Sequence, residues 1–295
     1  MIELQIIDAQ VKHKIKIEKY KVLLSQSHRK RIELIEIIKR IFTQSAESEY
    51  EQENGTKSML INEVAIDHKN SCFIEIHPFM DLDQFFKLTS KSLVTKFVEA
   101  SLDDIEFNDL YQTLNYVYDL ISDEIIESKT LCEFDDIKVN YKLSPLGIKQ
   151  IIKLLELQIV KKESFANEMD LTNEERTVLY LKFIKMTAER KRDLNFYVVL
   201  NCFSLNRLLM DVINSFPNNV TVIINAYEIK TPIIKENIYL IGKNFVDFMS
   251  DEDIFDKIMM NFANTNDLTV FKEELDRILS LEIHNINTSN LLSRI

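Results

Sequence analysis

One stretch near the N-terminus carries side chains that could bind an anion. An imidazole and three cations occur there in succession: His28, Arg29, Lys30 and Arg31. They stand where a helix is predicted to begin, because the apolar residues that follow recur at helical spacing up to Phe42. The N–H groups and the positive dipole end of a helix start attract anions, whereas cations placed there destabilise the helix. The pattern therefore predicts contact with an external anion, with a solvated surface turn as the alternative.

The elements before this helix bear on which anion fits. A short apolar strand, residues 22–24, and a loop, residues 25–27, precede it, in an order that is typical of phosphate sites in α/β proteins. The loop has no glycine, and the lysine followed by Ser or Thr that marks a nucleotide-binding loop is missing. The chain has only three Gly and four Pro, which excludes most glycine-dependent enzymes. A nucleotide-binding or hydrolysing enzyme with a degenerate loop remains one hypothesis.

Charge is segregated along the chain. The net charge is −11, yet residues 1–40 hold ten Lys and Arg against five acids, so the remainder carries −16. Twelve acids lie in residues 99–136 and ten in residues 247–282. A basic segment of an acidic protein can bind nucleic acid while the other surfaces repel it. Duplex DNA is thus a second candidate for the anion. Alternatively, the acidic helices could make the chain a scaffold for basic partners.

The basic residues extend beyond the helix start. Lysines alternate along the strands before it, which places several on one face, and a further cluster follows a predicted helix. The predicted DNA contacts are Lys12, Lys14, Lys16, Lys19, Lys21, His28, Arg29, Lys30, Arg31, Arg190, Lys191 and Arg192. Basic and aromatic residues do not interleave as in proteins that stack single strands, so phosphate contact without base recognition is expected. The spacing of Ser, Cys, His and Asp predicts no catalytic constellation.

The predicted elements describe an α/β protein whose sheet is discontinuous in sequence. Residues 1–17 alternate as antiparallel strands, and buried strands are expected at 196–200, 220–224 and 238–241, beside the strand at 22–24. Ser204 is expected to cap the helix that links the first two of these buried strands.

A helical insertion is predicted between the two parts of the sheet. It begins with a long amphipathic helix over 107–127 and ends with a helix that a capping box, Thr172 and Glu175, introduces. The predicted divisions are 1–104 with 191–250 for the α/β body, 105–190 for the insertion and 251–295 for an acidic C-terminal helical extension.

Cysteine usage and hydropathy indicate the compartment. The chain has three Cys and no CxxC pair, which suits buried thiols in a reducing cytoplasm better than disulfides or a zinc site. No apolar run approaches the roughly 18 residues of a membrane span, and the N-terminus is not a signal peptide pattern. We therefore predict a cytoplasmic protein without a membrane partner.

Four stretches carry a resemblance to a known family. They are KVLLSQ with RIELIEIIKRIF, KSMLINEVAI, IKQIIKLLELQI, and RKRDLNFYVVLNCFSL running on to NNVTVIINAYEI. In order and character, over residues 1 to about 245, the chain resembles the accessory spacer-acquisition protein of type II-A CRISPR systems, in a longer variant. The resemblance implies a P-loop-NTPase-like head without the nucleotide motif, interrupted by a helical leg. It also implies a homotetrameric ring that encircles double-stranded DNA ends and contacts phosphates from a basic lumen.

The same resemblance implies a role in CRISPR adaptation as a non-enzymatic protein. Its implied partners are the CRISPR integrase complex and the effector nuclease. The family also binds calcium through acids near the junction of head and leg, but the aligned stretch here, residues 139–144, contains no acid. Calcium takes several oxygen ligands from a flexible segment, so the nearby acids Glu133, Asp135 and Asp136 could serve as ligands instead.

Overall fold

A computed structural model describes most of residues 1–250. The described residues are 1–8, 11–25, 27–43, 58–81, 85–88, 92–102, 105–127, 170–241 and 245–250, with short pieces at 133–134, 137–138, 147, 150–152, 155, 160–161 and 164–165. The predicted C-terminal extension, 251–295, lies outside them. The chain divides into two compact units, Met1–Met80 with Thr172–Ile295, and Asp81–Leu171.

The first unit is built on a six-stranded sheet. Five of its strands are parallel and an antiparallel strand lies at one edge, in the order β14-β13-β3-β12-β11-β6. The strands are β3 (Tyr20–Leu24), β6 (Ser71–Ile76), β11 (Asn195–Leu205), β12 (Val220–Ile229), β13 (Ile238–Ile241) and β14 (Phe245–Asp247). The prediction that the buried strands lie beside β3 is confirmed, and their pairing with it and with each other is parallel. Their apolar runs are covered on both faces, as is usual for parallel strands.

A smaller sheet packs over one face of the large one. It has the order β2-β1-β4-β5, with β1 (Ile2–Asp8), β2 (Val11–Ile17), β4 (Ser58–Ile61) and β5 (Val64–Ala65). The predicted antiparallel pairing of β1 with β2 is confirmed, with Ile2 opposite Ile17. One cluster of buried side chains joins this sheet to the large one and includes Leu4, Ile15, Ile35, Val199 and Ile223.

The structure describes three α-helices in the first unit: α1 (His28–Thr43), α4 (Asn173–Arg190) and α5 (Arg207–Asn214). The predicted capping box is present, since Glu175 N donates to Thr172 Oγ1 at 3.1 Å and Thr172 N donates to the Glu175 carboxylate at 2.8 Å. The expected cap at Ser204 is wrong. Strand β11 continues to Leu205, and Asn206 caps α5 by accepting from Leu209 N.

Helix α4 corrects the predicted domain boundary. It was expected to close the insertion at residue 190, but it belongs with the first unit, and the second unit begins at residue 81 rather than 105. Its apolar residues explain this, because Tyr180, Leu181 and Ile184 are buried and Tyr180 Oη donates to Met80 O.

The second unit contains two described helices, α2 (Leu93–Leu102) and α3 (Ile105–Glu127). Helix α3 confirms the long amphipathic helix that was predicted from residue 107. Short strand pairs follow: β7 (Glu133–Phe134) with β8 (Ile137–Lys138), and β9 (Val160–Lys161) with β10 (Ser164–Phe165). Whether the two units correspond to a P-loop-like head and a helical leg stays a prediction. No helix among the described residues is long and apolar enough to cross a membrane.

Candidate functional site

The carboxyl ends of the parallel strands lie side by side at one end of the large sheet, where α1 begins. We call this end of the sheet the carboxyl edge. Side chains alternate along a strand, so every second residue of β11 and β12 faces α1. On that face both strands carry the same sequence of side chains toward the edge: an aliphatic residue, an asparagine and an aromatic ring. The neighbours are Val199 and Ile223, then Asn201 and Asn225, then Phe203 and Tyr227. Ligands of parallel α/β sheets bind at this edge, which makes it the candidate site.

Arg31 lies inside this edge rather than on its surface. Its side chain is 2% exposed, Nη1 donates to Ser25 O at 2.6 Å, and Nε donates to Asn225 Oδ1 at 2.9 Å. The guanidinium therefore ties the loop after β3 to strand β12. The prediction that Arg31 contacts DNA is wrong, because its guanidinium is buried and each of its nitrogens already has a partner, with Nη2 lying 3.3 Å from His28 Nδ1.

The hydrogen bonds continue across the sheet from Asn225. Its Nδ2 donates to Asn201 Oδ1 at 2.8 Å, and Asn201 Nδ2 lies 3.2 Å from Glu75 Oε1. Glu75 also pairs with His77 Nε2 at 3.0 Å and with Lys39 Nζ at 2.8 Å, and this bond raises the pKa of Lys39. Polar groups on four elements are thus mutually satisfied, which rigidifies the edge.

This network also bears on the nucleotide hypothesis. The loop presents the carbonyl oxygen of Ser25 to a guanidinium, and the Ser27 hydroxyl accepts from Lys30 N at the start of α1. Those groups occupy the place where a phosphate-binding loop would direct its N–H groups toward the ligand. Together with the missing glycines, this arrangement weighs against bound nucleotide.

The exposed residues of the helix start are His28, Arg29 and Lys30. Arg29 makes an exposed pair with Glu33, one turn further along α1. Partial burial and the neighbouring Arg31 lower the pKa of His28 below its ordinary value, which favours the neutral ring. Arg29 and Lys30 are therefore exposed cations that the start of α1 offers to a phosphate.

The lysines of the hairpin and of β3 differ in exposure. On β2, His13, Ile15 and Ile17 are buried, while Lys14 is exposed and Lys16 is half-buried, as the alternation predicts; Lys12 lies on the same strand. Lys21 is different, because its side chain is 0% exposed and Nζ lies 2.5 Å from Asp247 Oδ1. The prediction that Lys21 contacts DNA is wrong.

The remaining predicted cations lie at the opposite edge of the sheet. Lys19 precedes β3, and its Nζ donates to Asn214 O at the end of α5. The cluster Arg190, Lys191 and Arg192 ends α4 just before β11. Both places are at the amino ends of the parallel strands. The sequence-predicted contacts are therefore divided among the start of α1, the hairpin strand β2 and the amino ends of the parallel strands.

The predicted metal ligands are only partly described. Glu133 lies on β7, opposite Lys138, while Asp135 and Asp136 lie outside the described residues. Within the part of the chain that the structure describes, no group of three His, Cys, Asp or Glu side chains could hold a metal ion. Calcium stays a prediction.

Sequence reasoning missed the asparagine network and the aromatic residues at its outer side. The signal was present as a repeated triplet, Asn201-Cys202-Phe203 and Asn225-Ala226-Tyr227, each at the end of an apolar strand. The partners Arg31 and Glu75 gave no such signal, because they come from distant segments. Cys202 faces the other side of the sheet, where burial raises its thiol pKa to about 12 and makes it unreactive.

Taken together, the fold and this edge define a mixed α/β protein with a polar, aromatic-rimmed site at the carboxyl ends of its strands. No model of a known protein family matches the sequence, and no curated protein matches it.

Solved structures do share the fold. The crystal structure of Stu0660 of Streptococcus thermophilus superposes with a TM-score of 0.69 at 11% sequence identity. The match covers 95% of this chain and 86% of that chain. At this identity the similarity shows a common fold alone.

Proposed function

We propose that the protein is a non-enzymatic, ring-forming DNA-end-binding protein that acts in CRISPR adaptation. The observation that carries the proposal is the pair of exposed cations, Arg29 and Lys30, at the N-terminus of α1 in an otherwise acidic chain. Cations at a helix start destabilise the helix unless an anion lies nearby. The fold shared with Stu0660 is consistent with a CRISPR-related role, and the sequence resemblance supplies the ring and the duplex end.

The duplex is assigned to the carboxyl edge for an electrostatic reason. Arg190 and its neighbours end α4, where cations stabilise the negative end of the helix dipole, so their charge has a structural explanation. Arg29 and Lys30 begin α1, where the helix dipole disfavours a cation, and Arg29 has Glu33 as a counter-charge. With Lys14 exposed on the hairpin, they are the cations that we propose for the phosphate backbone.

Further partners follow from the same proposal. The exposed acids of α3, among them Asp119, Asp123 and Glu127, would offer a negative face to basic regions of the integrase complex or of the effector nuclease. A homotetramer would repeat the weak phosphate contacts four times around the DNA, which raises the overall affinity without a new contact.

If the protein forms a ring around DNA, its affinity should depend on whether the duplex has a free end. We expect a linear duplex to bind at least about tenfold more tightly than a covalently closed circle of the same sequence, because encirclement requires a free end. Affinity for the linear form should fall steeply with salt as counterions return to the phosphates. Gel shifts with both forms measure this, and light scattering should give about four times 34.7 kDa plus the mass of the duplex for the bound species. Equal affinities would exclude encirclement.

A charge reversal tests the assigned contacts. The double variant Arg29→Glu/Lys30→Glu should weaken binding to linear duplex by at least about tenfold and lower the slope of log affinity against log salt by about 0.9 for each lost phosphate contact. Arg31 is left unchanged because it is buried. The matched control is Arg190→Glu/Arg192→Glu at the opposite edge, which reverses the same number of charges. An equal loss in both variants would contradict a contact specific to the carboxyl edge.

A further inference from the structure

Four rings form a row along the carboxyl edge. Phe79 follows β6, Phe203 lies on β11, Tyr227 lies on β12 and His28 begins α1. The ring centroids are 5.3 Å apart between Phe79 and Phe203, 6.0 Å between Phe203 and Tyr227, and 4.9 Å between Tyr227 and His28. Tyr227 Oη lies 3.0 Å from His28 Nε2, which fixes that end of the row.

Three rings of this aromatic row are well exposed to solvent. Phe79 is 75% exposed, Tyr227 47% and Phe203 44%. Single exposed apolar residues are common, but contiguous ones rimmed by polar groups mark binding sites. The inner neighbours on the same strands, Asn201 and Asn225, are buried and bonded, so the strands hold the rings at the surface.

The surroundings of the row indicate the chemistry of its ligand. At one end stand the exposed cations Arg29 and Lys30, directly after His28 in the chain. Proteins bind unpaired nucleic acid by stacking its bases on aromatic rings and pairing its phosphates with nearby cations. We propose that the aromatic row stacks unpaired nucleobases of a single-stranded DNA end, while Arg29 and Lys30 hold the adjoining phosphates.

A base-paired region offers the row only the outer face of its terminal base pair, because the faces of its internal bases are already stacked on each other. An overhang or a frayed end exposes base faces, and stacking tolerates any sequence because every base has a π face. The inference deepens the proposed DNA-end function and rests on it for the biological setting, but binding of a single strand can be measured independently of duplex binding.

The first experiment uses the absence of tryptophan from the sequence. The variant Phe203→Trp places the only indole within the row, and a stacked base quenches its fluorescence. Titration with a short oligothymidylate should quench the emission in a saturable way. The matched control, Tyr116→Trp, places an indole at an exposed aromatic position on α3, and its emission should stay constant. Quenching of both indoles alike, or of neither, would overturn the proposal.

The second experiment separates bases from phosphates. Wild-type protein should bind a duplex with a four-nucleotide overhang about fivefold to a hundredfold more tightly than a blunt duplex, the range expected from stacking of one base. An abasic overhang, which keeps the phosphates, should add little. The variant Phe203→Ala should lose the preference for the overhang and keep blunt-end affinity, because Arg29 and Lys30 are unchanged. Tyr227 is left in place because it bonds to His28 at the start of α1.

The outcomes distinguish failure of this proposal from failure of the proposed function. If the protein does not bind blunt duplex but oligothymidylate still quenches the Phe203→Trp emission, the ring function is contradicted. The aromatic row then remains a single-strand site. Equal binding of blunt and overhanging duplexes contradicts the row. A blue shift of the Phe203→Trp emission that grows with protein concentration and without DNA would show that a second copy of the chain covers the rings, and would also overturn the proposal.

Discussion

Replacing Asp247 with asparagine should lower the free energy of unfolding by about 3–5 kcal/mol, the usual result of leaving one member of a buried ion pair without its partner. Lys21 and Asp247 are 0% and 1% exposed. The ammonium also donates to Glu236 O, and the carboxylate accepts from Lys16 N and Met249 N. The pair therefore connects β3, the hairpin strand β2 and the end of β14.

Urea titration followed by circular dichroism measures this loss. An exposed pair provides the control, because Arg29→Ala removes the contact with Glu33 and should change stability by less than about 0.5 kcal/mol. The double variant Lys21→Met/Asp247→Asn removes the stranded charge and should recover more than half of the loss. A loss below about 1 kcal/mol for Asp247→Asn would contradict the buried pair.

The pH dependence identifies the cause of the loss. Burial lowers the pKa of Lys21 below its ordinary value of 10.5 even with Asp247 beside it. The folded protein therefore binds this proton less tightly than the unfolded chain, and stability rises with pH between the lowered pKa and 10.5. In Asp247→Asn the attraction that holds the proton is gone, so the deficit relative to wild type should shrink as the pH rises through this window. A deficit that reflects packing alone would not depend on pH.

Replacing Arg31 with methionine should lower the free energy of unfolding by about 2–4 kcal/mol, because Ser25 O and Asn225 Oδ1 would both lose their donor in a buried place. Arg31→Lys should rescue little, since one ammonium cannot replace the planar fork that spans both acceptors. Thermal and urea unfolding measure the effect.

The neighbouring residue separates a structural role from a role in DNA contact. Lys30→Met removes an exposed cation one position earlier and should leave stability within about 0.5 kcal/mol while weakening DNA binding. A variant Arg31→Met with normal stability and weakened DNA binding would reverse our assignment of Arg31 to the interior.

The sequence predicts those parts of the fold that depend on local pattern. Residues 196–200 form a continuous apolar run, and they lie in a strand that is covered on both faces. Thr172 and Glu175 form the predicted cap, because the two partners are three residues apart. The end of β11 was not predicted, since the alternation beyond Leu200 continues with an asparagine, a cysteine and an exposed phenylalanine whose roles depend on the neighbouring strand.

The candidate site could be predicted less well. Lys21 looks like the other lysines of its segment, and only the position of Asp247, 226 residues later, makes it an interior group. Arg31 likewise differs from Arg29 and Lys30 by its position on the helix, since it shares the buried side with Leu34, Ile35 and Ile38. The rings of the aromatic row come from four separate segments of the chain. No local alternation of rings and cations in the sequence therefore predicts the row.

The bond between Lys21 and Asp247 also limits when the nascent chain can fold. During synthesis at about 5–20 residues per second, a gap of 226 residues corresponds to roughly 10–45 seconds in which the lysine has emerged and its carboxylate does not yet exist. Strand β3 lies in the middle of the large sheet, between β13 and β12, and both of these also arise late. The sheet therefore cannot be completed until Asp247 has been made, whereas residues 81–171 are all made before that point. Until then the apolar residues of the β1–β2 hairpin, among them Leu4 and Ile15, lack the large-sheet residues that bury them.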